Sequence, residues 1–267
     1  MTPPPTRGTP LAARLRAAAR VALRFALAAA VAACAGARAD EVPVAVAANF
    51  AGPLARIAEG FAAATGHTLK ISSGATGRFY SQIVAGAPFQ VLIAADDETP
   101  KKLVAEGHAV AGTNFTYAIG KLVLWSAQPG YVDANGEVLA SGRFAHLAIA
   151  NPKIAPYGQA GLEVIEARKL TAAITPRLVT AESIAQAYQF VATGNAELGF
   201  VALSQVAVPG KRATGSYWVV PPSLYGQIRQ DAVLLKTGEK SAAAAALLSY
   251  LKSPPALEIV RAFGYDR

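Results

Sequence analysis

Residues 44–83 read VAVAANFAGPLARIAEGFAAATGHTLKISSGATGRFYSQI, and they contain the same event twice. A short apolar strand runs into a small polar residue, and a helix begins there. The run 44–48 meets Asn49, after which Leu54, Ile57, Ala58 and Phe61 recur at helical spacing, with Pro53 in the opening turn where proline is tolerated. The run 69–73 meets Gly74, Ala75, Thr76 and Gly77, after which Phe79, Tyr80 and Ile83 face one way. In a parallel sheet covered by helices, both turns lie at the carboxyl edge, where unpaired amides and positive helix ends point into a shared crevice. Such a crevice suits a small anion.

Working outward, 91–95 reads as a buried strand, with Asp96 placed to cap a helix through Lys102, Leu103 and Val104. Three strand–helix units in succession predict an α/β fold with a parallel, doubly wound sheet. The segment 114–126 is then too long for one ordinary strand and suits a connection between two lobes. Beyond it the rhythm resumes: a strand over 146–150 feeds a helix ending near Leu170, a strand over 174–180 feeds a helix ending near Thr193, and 198–203 is a further apolar run. A second extended segment, 225–236, carries the chain back, and helices over 239–252 and 254–263 follow, separated by Ser253 before two prolines. The expected organisation is a discontinuous first lobe of residues 40–118 and 231–267, with 119–230 forming the second lobe and the crossing segments.

The net charge of +8 would suggest a polyanionic partner if it were evenly spread. Residues 1–39 hold six arginines and no acid, so removing them leaves 8 − 6 = +2. Nucleic acid is thereby excluded as the expected partner. Residues 1–39 read as a signal peptide: an arginine-bearing start, an apolar run over 25–33, and Ala37-Arg38-Ala39 before Asp40, the expected mature N-terminus. The run is far shorter than the ~20 residues of a membrane span. A competing reading takes Val31-Ala32-Ala33-Cys34 as a lipobox, with Cys34 lipidated. In either case the mature chain has no cysteine pair for a disulfide or thiolate metal site.

The inventory for catalysis is poor. His67, His108 and His146 sit at turns or a strand start, and no H-E-x-x-H, G-x-S-x-G or Walker A pattern is present. Asp96 and Asp97 are explained by helix capping with fewer assumptions than by a paired-carboxylate site. Four positions stand where a strand ends and a helix starts: Asn49, Thr76, Tyr157 and Ile184. Each places a backbone amide at a helix mouth. The plainer readings are N-capping for Asn49 and Thr76, an exposed loop aromatic for Tyr157, and a core aliphatic for Ile184.

Five segments, 44–50, 72–96, 151–161 (NPKIAPYGQAG), 180–206 (TAESIAQAYQFVATGNAELGFVALSQV) and 247–265 (LLSYLKSPPALEIVRAFGY), closely resemble the periplasmic molybdate-binding proteins of ABC transporters. The resemblance runs in order through the whole mature chain. It implies a type II periplasmic-binding-protein fold, two doubly wound α/β lobes joined by two crossing strands, with a tetrahedral oxyanion between them. It implies that molybdate or tungstate is held without a metal cation or cofactor and delivered to an inner-membrane permease by a monomeric periplasmic protein. The ligands it carries over fall on Asn49, Thr76, Tyr157 and Ile184, the last two through backbone amides, with the Ala48 amide as an additional donor.

The chain departs from one version of the family pattern. Many members have serine where Asn49 stands, and a second-lobe tyrosine whose position here is Ala202, which has no donor. Two alternatives stay open at this stage. One is another tetrahedral anion such as sulfate or phosphate; the other is an enzyme acting on an anionic metabolite, which would need a general base near the helix mouths.

Overall fold

A computed structural model describes residues 39–211 and 214–267. The expected signal peptide and Cys34 lie outside the described residues. Residues 40–267 form one compact unit built on two five-stranded sheets.

The first sheet has the order β2-β1-β3-β10-β4, with β1 Glu41–Ala47, β2 Thr68–Gly74, β3 Val91–Ile93, β4 Phe115–Gly120 and β10 Ile228–Leu234. β1 runs parallel to β2 and β3, whereas β10 is antiparallel to β3 and β4. Alternate side chains serve two cores, as a sheet covered on both faces requires. Val42, Val44 and Val46 face one core with Leu54, Ile57 and Phe61 of α1 (Ala51–Thr65) and with α9 (Ala242–Tyr250) and α10 (Pro254–Ala262). Ala45 and Leu92 face the other, against Phe79 and Ile83 of α2 (Thr76–Val84) and Leu103 of α3 (Glu98–Ala105). Each fully buried valine, leucine, isoleucine or phenylalanine among these contributes about 1.5–3 kcal/mol.

The second sheet has the order β7-β6-β8-β5-β9, with β5 Leu122–Ser126, β6 Leu147–Ala150, β7 Leu178–Ala181, β8 Leu198–Ala202 and β9 Ser216–Val219. Its helices include α5 (Pro156–Ala167), α6 (Thr171–Ile174), α7 (Ile184–Ala192) and α8 (Leu203–Val206), besides a short α4 (Val138–Ser141). The protein is thus an α/β structure of two lobes. The long segment 114–126 divides at Lys121 into β4 and β5, which belong to different sheets. The expected lobe boundaries at 118 and 230 fall inside β4 and β10.

Some local expectations need correction. The strand expected from 174 begins at Leu178, because Thr171–Ile174 is a helical turn that continues into a 3-10 turn, Thr175–Arg177, with Pro176 in its opening. Ile174 faces the core from that turn, so its apolar, β-branched character mimicked a strand start. β9 was not expected: it is four residues long, exposes Tyr217 and Val219, and lies at a sheet edge beside Gly215 and Pro221. Asp97 rather than Asp96 occupies the N-cap position of α3, yet the Asp96 carboxylate accepts the Thr99 N–H at 2.7 Å.

Candidate oxyanion site

The carboxyl ends of β1, β2 and β3 in one lobe, and of β6 and β7 in the other, open onto one small cavity. Ala48, Asn49, Thr76, Tyr157 and Ile184, all five expected site residues, line it. They come from four separate strand ends. Ala48 and Asn49 lie in a 3-10 turn (Ala48–Phe50) leading into α1, Thr76 opens α2, Tyr157 follows Pro156 at the start of α5, and Ile184 opens α7.

The helix starts explain what is free. First-turn N–H groups have no intrahelical acceptor, and the macrodipole places partial positive charge there. Ser183 caps α7 by accepting the Gln186 N–H, while α2 and α5 carry no side-chain cap. The capping reading of Thr76 therefore fails, since Ala75 holds the N-cap position and Thr76 is already helical. Thr76 is 1% exposed, and its hydroxyl accepts the Ala95 N–H at 3.0 Å. With that lone pair used, its own hydrogen is left for the cavity. The exposed-aromatic reading of Tyr157 fails too: the ring is buried, and its hydroxyl accepts from Gln230 Nε2 at 3.1 Å.

Asn49 is held differently from the simple expectation. Its amino group donates inward, to Gln230 Oε1 at 2.9 Å and to the Tyr265 hydroxyl at 3.0 Å. Its Oδ1 is buried and has no partner.

No charged side chain lines the cavity, and none of the three histidines is among its lining residues. Asp97, the other half of the imagined carboxylate pair, binds Lys101 at 2.7 Å. Asp96 stands behind the site with its pKa raised, chiefly by burial. Burial likewise pushes the hydroxyls of Tyr117, Tyr157 and Tyr265 above their ordinary value, so all three remain neutral donors. An uncharged pocket of amides and hydroxyls can solvate an anion but offers no general base. Among the described residues no group of acids, histidines and cysteines could hold a metal ion.

The lobes touch beside the cavity. The Gly77 N–H donates to the Ile154 carbonyl at 2.9 Å, the Ser204 hydroxyl donates to the Asn49 carbonyl at 2.8 Å, and Arg78 lies 3.8 Å from Glu182 at the exposed rim. Gln230 and the Ser204–Asn49 contact are parts of the site's surroundings that sequence reasoning missed, because no local pattern announces a buried carboxamide 181 residues from its partner.

The fold and site together define a two-lobed binding protein, and the chain belongs to the family described as bacterial extracellular solute-binding proteins, whose family model matches residues 42–266. It is 60% identical over 229 residues to the molybdate-binding protein ModA of Azotobacter vinelandii, covering 86% of this chain and 91% of that one. It is 55% identical to the ModA of Rhodobacter capsulatus, covering 86% and 89%. Its structure is similar to the solved periplasmic molybdate-binding protein of Azotobacter vinelandii, with a TM-score of 0.83 and 46% identity over 85% of this chain and 99% of that one.

Proposed function

We propose that the protein captures molybdate, and also tungstate, in the cavity between its lobes and hands it to an inner-membrane ABC permease. The observation that carries this reading is the convergence of Asn49, Thr76, Tyr157 and Ile184 on one uncharged cavity, with the starts of α2, α5 and α7 around it. The likeness to relatives named for molybdate binding supports it.

Burying a dianion is costly unless its oxygens accept several hydrogen bonds. Here the donors would be the Thr76 hydroxyl, the Asn49 amide group, the Tyr157 and Ile184 backbone N–H groups and the Ala48 N–H. They are neutral, fixed by helix geometry, and backed by favourable dipoles, so no counter-cation is required. Selectivity against sulfate would follow from cavity size, since molybdate has the same shape and charge but longer bonds to oxygen. Tungstate, nearly isosteric, would not be distinguished.

Binding would close the two lobes about the crossings at Lys121 and between β9 and β10, the hinge motion of two-lobed binding proteins. In this reading residues 1–39 are the export signal, and the mature protein works as a periplasmic monomer. No helix among the described residues is long and apolar enough to cross a membrane. Side-by-side calorimetric titration of the mature chain with molybdate, tungstate, sulfate and phosphate tests the proposal. Tight binding of the first two and weak or absent binding of the others is expected; comparable heats for sulfate and molybdate would refute it.

A further inference from the structure

Behind the cavity, Asn49 is tied to a second buried carboxamide, Gln230 of β10, which is fully inaccessible to solvent. Three tyrosine hydroxyls surround the pair. Tyr117 donates to Gln230 Oε1 at 2.9 Å and also reaches the Ala94 carbonyl at 2.8 Å. Tyr157, from the other lobe, accepts from Gln230 Nε2, and Tyr265 accepts from Asn49 Nδ2. The pocket is built for the pair. β4 carries a register irregularity opposite Gln230 and Asp231 that takes Tyr117 out of the regular pairing. A side chain at Gly120 would strike both the Tyr157 hydroxyl and Gln230 Nε2.

In this orientation every buried polar atom of the two amides has a partner except Asn49 Oδ1. A carboxamide turned by half a revolution about its last torsion exchanges oxygen and nitrogen with almost no change in shape. If both amides turn together, the network stays connected. Gln230 Nε2 donates to Asn49 Oδ1 and to the Tyr117 hydroxyl, which keeps its own bond to Ala94. Tyr157 donates to Gln230 Oε1, and Tyr265 shifts its one hydrogen from the Asn49 backbone carbonyl, 2.8 Å away, to Asn49 Oδ1, leaving that carbonyl to the Ser204 hydroxyl. The unpaired acceptor disappears, and the Asn49 amino group takes the place that Oδ1 held. An oxyanion that accepts from the Asn49 side chain requires that second orientation, because in the first both amino hydrogens are spent on Gln230 Oε1 and the Tyr265 hydroxyl.

We infer that Gln230 is a positioning residue for the oxyanion: paired with Asn49 and steered by Tyr117, Tyr157 and Tyr265, it turns the Asn49 amino group toward the ligand. The inference rests on the binding function proposed above and deepens it. Gln230 does not line the cavity, so its influence passes through Asn49.

A double-mutant cycle separates this role from a structural one. Molybdate affinity and melting temperature are measured for the wild type, Gln230→Met, Asn49→Ala and the double variant. Gln230→Met should weaken molybdate binding about tenfold in the wild-type background and less than about twofold beside Asn49→Ala. Equal losses in both backgrounds would overturn the inference while leaving molybdate binding by the wild type intact. Absence of molybdate binding by the wild type would instead refute the proposed function and the inference with it. If Gln230→Met does not fold, the molybdate-saturated wild type decides by NMR. Cross-relaxation from the Gln230 side-chain NH₂ should be stronger to the Tyr117 ring than to the Tyr157 ring; the reverse order would overturn the inference.

Discussion

The Gly77 N–H of one lobe donates to the Ile154 carbonyl of the other at 2.9 Å, and a Cβ placed on Gly77 would stand 2.9 Å from Ile154 Cα and 3.1 Å from its Cβ. Gly77 sits in the first turn of α2, where alanine is intrinsically the better helix former. Its lack of a side chain therefore serves the approach of the lobes rather than the helix.

Gly77→Ala should accordingly separate folding from closure. The melting temperature without ligand is expected to hold or rise slightly, while molybdate affinity falls about tenfold because the closed form is less populated. Titration calorimetry with thermal denaturation checks both. Wild-type affinity in a folded Gly77→Ala variant would show that this contact does not limit closure.

The Thr76 hydroxyl accepts from the Ala95 N–H, which leaves its own hydrogen to offer the cavity. Thr76→Val keeps the shape and removes that donor, and should weaken molybdate binding by about 1.5–3 kcal/mol. Thr76→Ser should restore most of it. A Thr76→Val variant that binds as well as wild type would remove this residue from the site.

Ile184 distinguishes a backbone ligand from a side-chain one. Ser183 before it is extended, with φ −154° and ψ 166°, and Ile184 is the first residue of α7. Proline is therefore acceptable at 184 without breaking the helix, but it carries no N–H. Ile184→Pro should abolish molybdate binding while the protein stays folded by circular dichroism, and Ile184→Val should bind nearly normally. Retained binding by a folded Ile184→Pro would contradict the assignment.

Tyr117, Tyr157 and Tyr265 have pKa values raised by burial above the ordinary 10.0. Molybdate affinity should consequently stay flat between about pH 7 and about pH 9, with none of these three phenols titrating in that window. For stability the sign is fixed by proton count: above the unfolded value the native state holds more phenol protons than the unfolded one. Stability is full below about pH 10 and falls as pH rises beyond it. Denaturant melts against pH read this, and a rise in stability above that point would contradict it.

Much of the candidate site's lining was legible because its residues sit at strand ends, where sequence and geometry coincide: an apolar run, a small polar residue, then helical periodicity. Thr76 and Ile184 announce themselves that way. The orientation of Asn49 was not legible, since its amide partners, Gln230 and Tyr265, lie far along the chain and meet it only when the sheet and the C-terminal segment are assembled. Tyr157 lines the cavity from its helix start, but its ring gave no local sign of being buried against Gln230. β9 was missed for the opposite reason, as a short edge strand with two exposed apolar side chains lacks the buried run that identified the others.

The most direct test of the account is a crystal structure of the mature chain grown with molybdate, with anomalous scattering recorded at the molybdenum edge. The account predicts one strong peak inside the cavity. Its oxygens should lie about 2.7–3.2 Å from Thr76 Oγ1, the Asn49 side-chain nitrogen and the backbone nitrogens of Tyr157 and Ile184. A peak elsewhere on the protein, or a cavity filled only by water while molybdate is bound in solution, would contradict it.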